Sequence, residues 1–260
     1  MWFASPSPGD AARTSHEDPA YVDRHRLTAP PAARHSRAAA VIIWPVDPKI
    51  AATERATALW IENKGNEPIT MQVRTLRWSQ GPQGDLYDDQ DEVVASLPIA
   101  VIPAGQRQMI RVLRRERPAV AANDQTGLVE RSYRLLIDEI PTANAPNASW
   151  LPAAELAVQM RYSVPLFTYA GSVNVARPEL TATVERSGSS RMLAIRNTGM
   201  LHARLVDIRT ADDKKTSLAS GLAGYVLAGQ TMRWPVPEGV PDISPLMANV
   251  NGADQRIAAR

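Results

Sequence analysis

The chain of 260 residues contains no cysteine. This excludes thiol catalysis, Cys-ligated zinc, iron–sulfur clusters and disulfides, and it leaves the redox compartment open. Histidine is scarce: there are four, and His16, His25 and His35 lie near the start, so only His202 remains for the body. Mechanisms that need a His base or several His ligands are therefore poorly supplied. Phenylalanine occurs only twice. An excess of either charge is also missing, with 29 Lys+Arg against 27 Asp+Glu for a net +2. A balance this even argues against a protein built to neutralise phosphate backbones. Long apolar runs are absent. The longest, Ala38–Val46, has nine residues, while a membrane-spanning helix needs about 18. The first 20 residues hold no apolar stretch of the kind that marks a secretory signal.

Proline is plentiful at 21. Residues 1–38 combine proline, histidine and scattered charge without apolar periodicity, and they read as a disordered tail. Beyond the tail, period-2 alternation replaces helical spacing. Strands are expected at Val41–Val46, Thr57–Asn63, Met71–Trp78, Gln108–Leu113, Tyr133–Ile137 and Leu156–Phe167. Gly- and Pro-containing turns such as Pro103-Ala-Gly105 separate them. Short strands at this spacing indicate a β-sandwich.

A weak internal echo predicts two of them. Ile61-Glu-Asn-Lys-Gly65 and Ile195-Arg-Asn-Thr-Gly199 each end a strand in an Asn-x-Gly turn and lead into a second strand. The junction falls within Thr168–Pro178. The expected organisation is a tail over 1–38, a first sandwich over 39–170, and a smaller second one over 171–260. The second is small for an independent core and should pack against the first.

Catalytic constellations are missing. There is no GxxxxGK[ST], GxGxxG or GxSxG. The acidic group Asp88, Asp89, Asp91 and Glu92 lacks the alternate spacing and glycine of a calcium loop, and it reads as a solvated loop. The basic group Arg107, Arg111, Arg114, Arg115 and Arg117 has no interleaved aromatics for base stacking, and it reads as a solvated sandwich end. The tryptophans are scattered and read as packing residues. No metal, cofactor or nucleic acid is implied, and a binding module without turnover fits better than an enzyme.

Three segments in order carry a resemblance. They are Ala58-Leu-Trp-Ile-Glu-Asn-Lys-Gly-Asn-Glu-Pro68, Tyr133-Arg-Leu-Leu-Ile-Asp-Glu-Ile-Pro141 and Leu156-Ala-Val-Gln-Met-Arg-Tyr-Ser-Val-Pro-Leu-Phe167, with a proline-rich loop at Pro141–Pro152 between the last two. Together they resemble the second, sixth and seventh strands of the PapD-like periplasmic pilus-assembly chaperones of the chaperone–usher pathway. RLLIDEIP and RYSVPLF look closest to the archaic, spore-coat-U-type branch. The resemblance implies an all-β fold of two immunoglobulin-like sandwiches at an angle. It also implies a periplasmic location, although no signal is visible at the numbered start. A misassigned start codon, a precursor with a foreign tail or a non-secreted relative would each reconcile the two.

The implied mechanism is donor-strand complementation. Leu156, Val158 and Met160 alternate with Ala157, Gln159 and Arg161, so they share one face of the seventh strand. As an ordinary core strand, that row would turn inward. In the resemblance, it is lent to the open groove of a pilus subunit, which then passes to an outer-membrane usher. Self-association through the same edge is a further expectation, because open apolar edges template pairing. The family also anchors the subunit's terminal carboxylate with two basic residues. Asp47 or Pro48, and Pro165, stand where the better-known branch has them. The candidate anchors are therefore Arg134 and Arg161, because a guanidinium binds a carboxylate bidentately. Each Arg could instead cover a sheet face or pair with Glu130 or Asp138. The alternative function is a secreted structural or adhesive two-sandwich protein, and residues 1–38 lack the alternating apolar donor segment that a pilus subunit would need.

Overall fold

A computed structural model describes residues 41–115, 130–141, 159–170, 176–188, 190–212, 214–240 and 245–259. The expectations for the tail, the proline-rich loop, Leu156 and Val158 lie outside these residues. The described chain is all strand. The first half supplies β1 (Val41–Trp44), β2 (Lys49–Ile50), β3 (Ala56–Asn63), β4 (Ile69–Gly81), β5 (Gly84–Asp89), β6 (Val93–Ser96), β7 (Ile99–Ile102), β8 (Arg107–Arg114), β9 (Glu130–Ile140) and β10 (Arg161–Tyr169). The second half supplies β11 (Leu180–Ser187), β12 (Ser190–Asn197), β13 (Ala203–Thr210), β14 (Ser217–Val226), β15 (Thr231–Pro235), β16 (Leu246–Val250) and β17 (Ala253–Ala259).

The first sandwich stacks a β1-β3-β8-β6 sheet on a β2-β10-β9-β4-β5 sheet, with β7 also paired to β4. The predicted alternation sets its inner faces. Leu59 and Ile61 of β3, Met71 and Val73 of β4, and Leu135 and Ile137 of β9 all enter one core. Fully burying a side chain of this size contributes about 1.5–3 kcal/mol, so the core outweighs any single surface pair. The second sandwich joins β14-β13-β16-β17 to β11-β12-β15 through a short parallel contact between β17 and β11. Its own core gathers Leu193, Ile195, Leu205, Ile208, Leu246 and Ile257.

The two sandwiches belong to one compact unit, and a third apolar cluster shows how they join. Trp78 of β4, Phe167 of β10 and Leu227, just after β14, are buried together, with Tyr169 and Tyr225 against them. Trp78 and Tyr225 meet edge to face at 5.4 Å, a favoured aromatic geometry.

The acidic group is more ordered than a loop. Asp88 and Asp89 lie in β5, because that segment pairs with the long β4 and sets Tyr87 opposite Trp78. Glu92 is a hub that takes hydrogen bonds from Arg77, from Arg131 at 2.9 Å and from the Tyr133 hydroxyl at 2.6 Å. The basic group also divides. Arg111 and Arg115 are exposed, while Arg114 is buried and donates to the carbonyls of Ile50 and Tyr169 at 2.9 and 3.0 Å. It thus ties β8 to β2 and β10.

Candidate functional site

β10 is an edge strand for most of its length. On one side it pairs antiparallel with β9 from Arg161 to Tyr169. On the other it meets only β2, at Phe167 and Thr168. From Arg161 to Leu166 its outer edge pairs with no described strand. The direction of the backbone groups follows from two bonds. Met160 C=O accepts from Glu139 N–H on the β9 side, while Phe167 N–H donates to Pro48 C=O on the outer side. Backbone groups alternate sides along a strand in an antiparallel pair. The N–H groups of Arg161 and Ser163, and the carbonyls of Arg161, Ser163 and Pro165, therefore face the open edge. Pro165 can occupy this strand because its missing N–H falls on that same side, where no ladder bond is required.

The side chains of β10 alternate about the first core. Val164 and Leu166 are buried in the first core, and Tyr162 packs against it. Met160, half-buried, precedes them with the same parity. Leu156 and Val158 share that parity in sequence but lie outside the described residues.

The two candidate anchors sit apart on the opposite face of the sheet. Arg134 lies across from Pro165, and Arg161 lies across from Asp138. They are four positions apart in register, about 13 Å at the rise of a strand. Arg161 is 64% exposed and ion-paired to Asp138, which Arg74 also holds at 2.7 Å. Burial tends to raise the pKa of Asp138, but the hydrogen bonds from Arg161 and Arg74 outweigh it and hold this carboxyl below its ordinary value.

Arg134 is only 11% exposed. Its guanidinium lies 3.7 Å over the Trp78 ring and 5.6 Å from that of Tyr225, in cation–π range. Its Nε is buried and has no hydrogen-bond partner, and neither has Nε1 of Trp78. An unpaired buried donor costs about 1–3 kcal/mol. Asp85 Oδ2 stands 3.7 Å from the guanidinium.

The link from the base of β10 to the second sandwich had no local sequence signal, because its partners are 72 residues apart. The carboxylate of Glu130, at the start of β9, accepts from the backbone N–H of His202 at 2.9 Å and meets its Nδ1 at 2.7 Å. The imidazole stacks on Phe167 with ring centroids 3.6 Å apart and planes 3° apart. Tyr169 completes the group. Burial first, and then the Glu130 carboxylate, push its hydroxyl well above the ordinary tyrosine range, so it stays protonated beside Glu130. Both Phe167 and Tyr169 belong to β10, so the open strand is clamped at the end that meets the second sandwich.

Comparison with known proteins agrees with this geometry. Residues 49–169 match the family model of pili and flagellar-assembly chaperones, PapD N-terminal domain. No curated protein sequence matches the chain. Among solved structures, a chain of the CsuC–CsuE chaperone–tip adhesion subunit pre-assembly complex, from archaic chaperone-usher Csu pili of Acinetobacter baumannii, is 29% identical. It matches with a TM-score of 0.68 over 85% of this chain and 100% of that one. The E. coli chaperone DraB matches at 13% identity and TM-score 0.56, covering 86% of this chain and 98% of that one. A chain of the Salmonella enterica complex of SafA pilin with the SafB chaperone matches at 14% and 0.57, covering 85% and 94%. The fold is therefore that of the two-domain PapD-like chaperones, and residues 49–169 are similar to the N-terminal domain of the pili and flagellar-assembly chaperones.

Proposed function

We propose that this protein binds pilus subunits by lending them the segment from Leu156 into β10, holds them in the periplasm, and passes them to an outer-membrane usher. The observation that carries this reading is the open edge of β10 from Arg161 to Leu166. An extended segment laid along it gains main-chain hydrogen bonds, and alternate side chains set its register. Leu156, Val158 and Met160 would enter the subunit's groove. Each contributes about 1.5–3 kcal/mol when fully buried. Binding of this kind needs no nucleotide.

The same edge gives Arg134 its role. A strand pairing along β10 runs into β2 at Phe167, so it ends level with Pro165, and Arg134 is the residue across from Pro165. A terminal carboxylate arriving there meets the guanidinium of Arg134, 11% exposed. Arg161, paired to Asp138, is a second polar contact at the other end of the open edge.

The test is co-expression with the cognate subunit followed by gel filtration. The wild type yields a stable 1:1 complex and raises the amount of soluble subunit. Leu156→Asp/Val158→Asp/Met160→Asp loses both effects while the free protein keeps its unfolding midpoint. A triple variant that protects the subunit as well as the wild type does would overturn the reading.

A further inference from the structure

Arg134 is only 11% exposed, and a cation so far withdrawn from water requires a counter-charge. Asp85, at the start of β5, supplies it from 3.7 Å. That distance is within ion-pair range but beyond a hydrogen bond. The Asp85 carboxylate is held by two other donors. Asp85 Oδ1 accepts from Gln80 Nε2 at 2.9 Å, and Oδ2 accepts from the Tyr87 hydroxyl at 3.1 Å. Burial first, and then the Asp85 charge, raise the pKa of Tyr87, so its hydroxyl stays protonated and able to donate.

Gln80 is in turn fixed by the second sandwich. Its Nε2 also donates to Tyr225 C=O at 2.9 Å, and its Oε1 accepts from Leu227 N–H at 2.9 Å. The amide is 7% exposed, so it spends all these contacts on holding one arrangement. Asp85 is thereby kept where it balances the charge of Arg134 without consuming its hydrogen bonds.

We propose that Asp85 is the resident counter-ion of Arg134 and limits how tightly the cleft captures a subunit's terminal carboxylate. This deepens the anchor role given to Arg134 above and rests on it. An arriving carboxylate meets a neutralised pair rather than a bare cation. Its attraction to Arg134 is offset by repulsion from Asp85, and like charges held close in a desolvated cleft are costly. Asp85 forms no hydrogen bond with Arg134, so recognition favours a group that can accept one geometrically over a charge alone.

The test uses the full chain and a synthetic peptide copying the C-terminal strand of its subunit, prepared as the free acid and as the amide. Dissociation constants are read by calorimetry. The wild type binds the acid more tightly than the amide. Asp85→Asn, which keeps the shape and can still accept from Gln80, raises affinity for the acid about threefold to tenfold and leaves the amide unchanged. Asp85→Ser does the same if the asparagine disturbs the cleft. Arg134→Gln removes the discrimination in every background. If the wild type prefers the acid and both Asp85 variants leave that preference unchanged or reduce it, the counter-ion role is overturned while the anchor stands. If the wild type binds acid and amide equally, the anchor reading falls, and the role of Asp85 falls with it.

Discussion

The two sandwiches solve the same turn with the same residue, yet they tolerate change differently. In the first, Asn63 donates from Nδ2 to the carbonyls of Glu67 and Ile102 at 2.7 and 3.1 Å, and its Oδ1 accepts from Gly65 N–H at 2.9 Å. In the second, Asn197 donates to Leu201 and Val226 at 2.7 and 3.1 Å and accepts from Gly199 at 3.0 Å. Both side chains are fully buried. The difference lies in the glycines. A Cβ on Gly199 would stand 2.2 Å from Arg177 O and 2.6 Å from Glu179 N, whereas one on Gly65 meets only Asn63 Oδ1 at 3.0 Å. In the second sandwich the segment before β11 crosses directly over the turn, and Asn197 Oδ1 also accepts from Glu179 N–H at 3.0 Å. One asparagine therefore fastens a turn, while the other fastens a turn and an incoming chain. The second sandwich uses this device to close its chain entry, whereas the first leaves one edge of β10 open.

The largest expected break in this symmetry is Gly199→Ala. The clashing atoms are backbone, so the substitution destabilises by more than about 3 kcal/mol, and Gly65→Ala by less than about 1 kcal/mol. Urea unfolding midpoints compare them, and equal losses would contradict the asymmetry. Next come Asn63→Ala and Asn197→Ala. Each strands buried groups at a cost of about 2–3 kcal/mol, with Asn197 the more costly because it holds one partner more. Glu130→Ala follows, at about 2 kcal/mol. It orphans the N–H and Nδ1 of His202, and the two sandwiches, read by separate probes, cease to unfold in one transition.

The smallest effect separates the sandwiches by acid. Burial raises the pKa of Glu92, but the Tyr133 hydrogen bond and the charges of Arg77 and Arg131 prevail and leave it lowered. Asp138 is lowered as well. A depressed carboxylate contributes stability that is present above its unfolded value, about 4, and is lost as pH falls through the folded value. In the second sandwich the lowered carboxyls, Glu185 and Asp254, owe their shifts first to hydrogen bonds from Arg233 and Arg209, and both are exposed. Their contribution is screened by salt. Acid titration of stability in added salt should therefore retain the first sandwich's loss and flatten that of the second.

Much of this was legible in the chain itself. Alternation located β3, β4, β8 and β9, because each buries one face on a single core and extends the predicted span by only a few residues. The Asn-x-Gly echo was visible because the turn is local. β5 and β7 escaped notice. Gly84–Asp89 carries an acidic run that pairs only because β4 continues past the core to Gly81, and β7 is four residues long. The Arg134 cleft was half visible. The residue was named from its strand, but Asp85, Gln80 and Tyr225 reach it through packing between distant segments, which spacing does not encode. The seam of Glu130 with His202 was not visible at all. A single histidine gives no pattern, and its partner lies in the other sandwich.

The central claim is that the outer edge of β10 is unpaired in the free protein and paired in the complex. Amide hydrogen exchange at Arg161 and Ser163, measured on the free chain and on its complex with a subunit, addresses it directly. The expected result is fast exchange at both amides when free and strong protection when bound, with Val164 and Leu166, bonded to β9, protected throughout. Protection of Arg161 and Ser163 already present in the free monomer, or continued fast exchange in a stable complex, would contradict it.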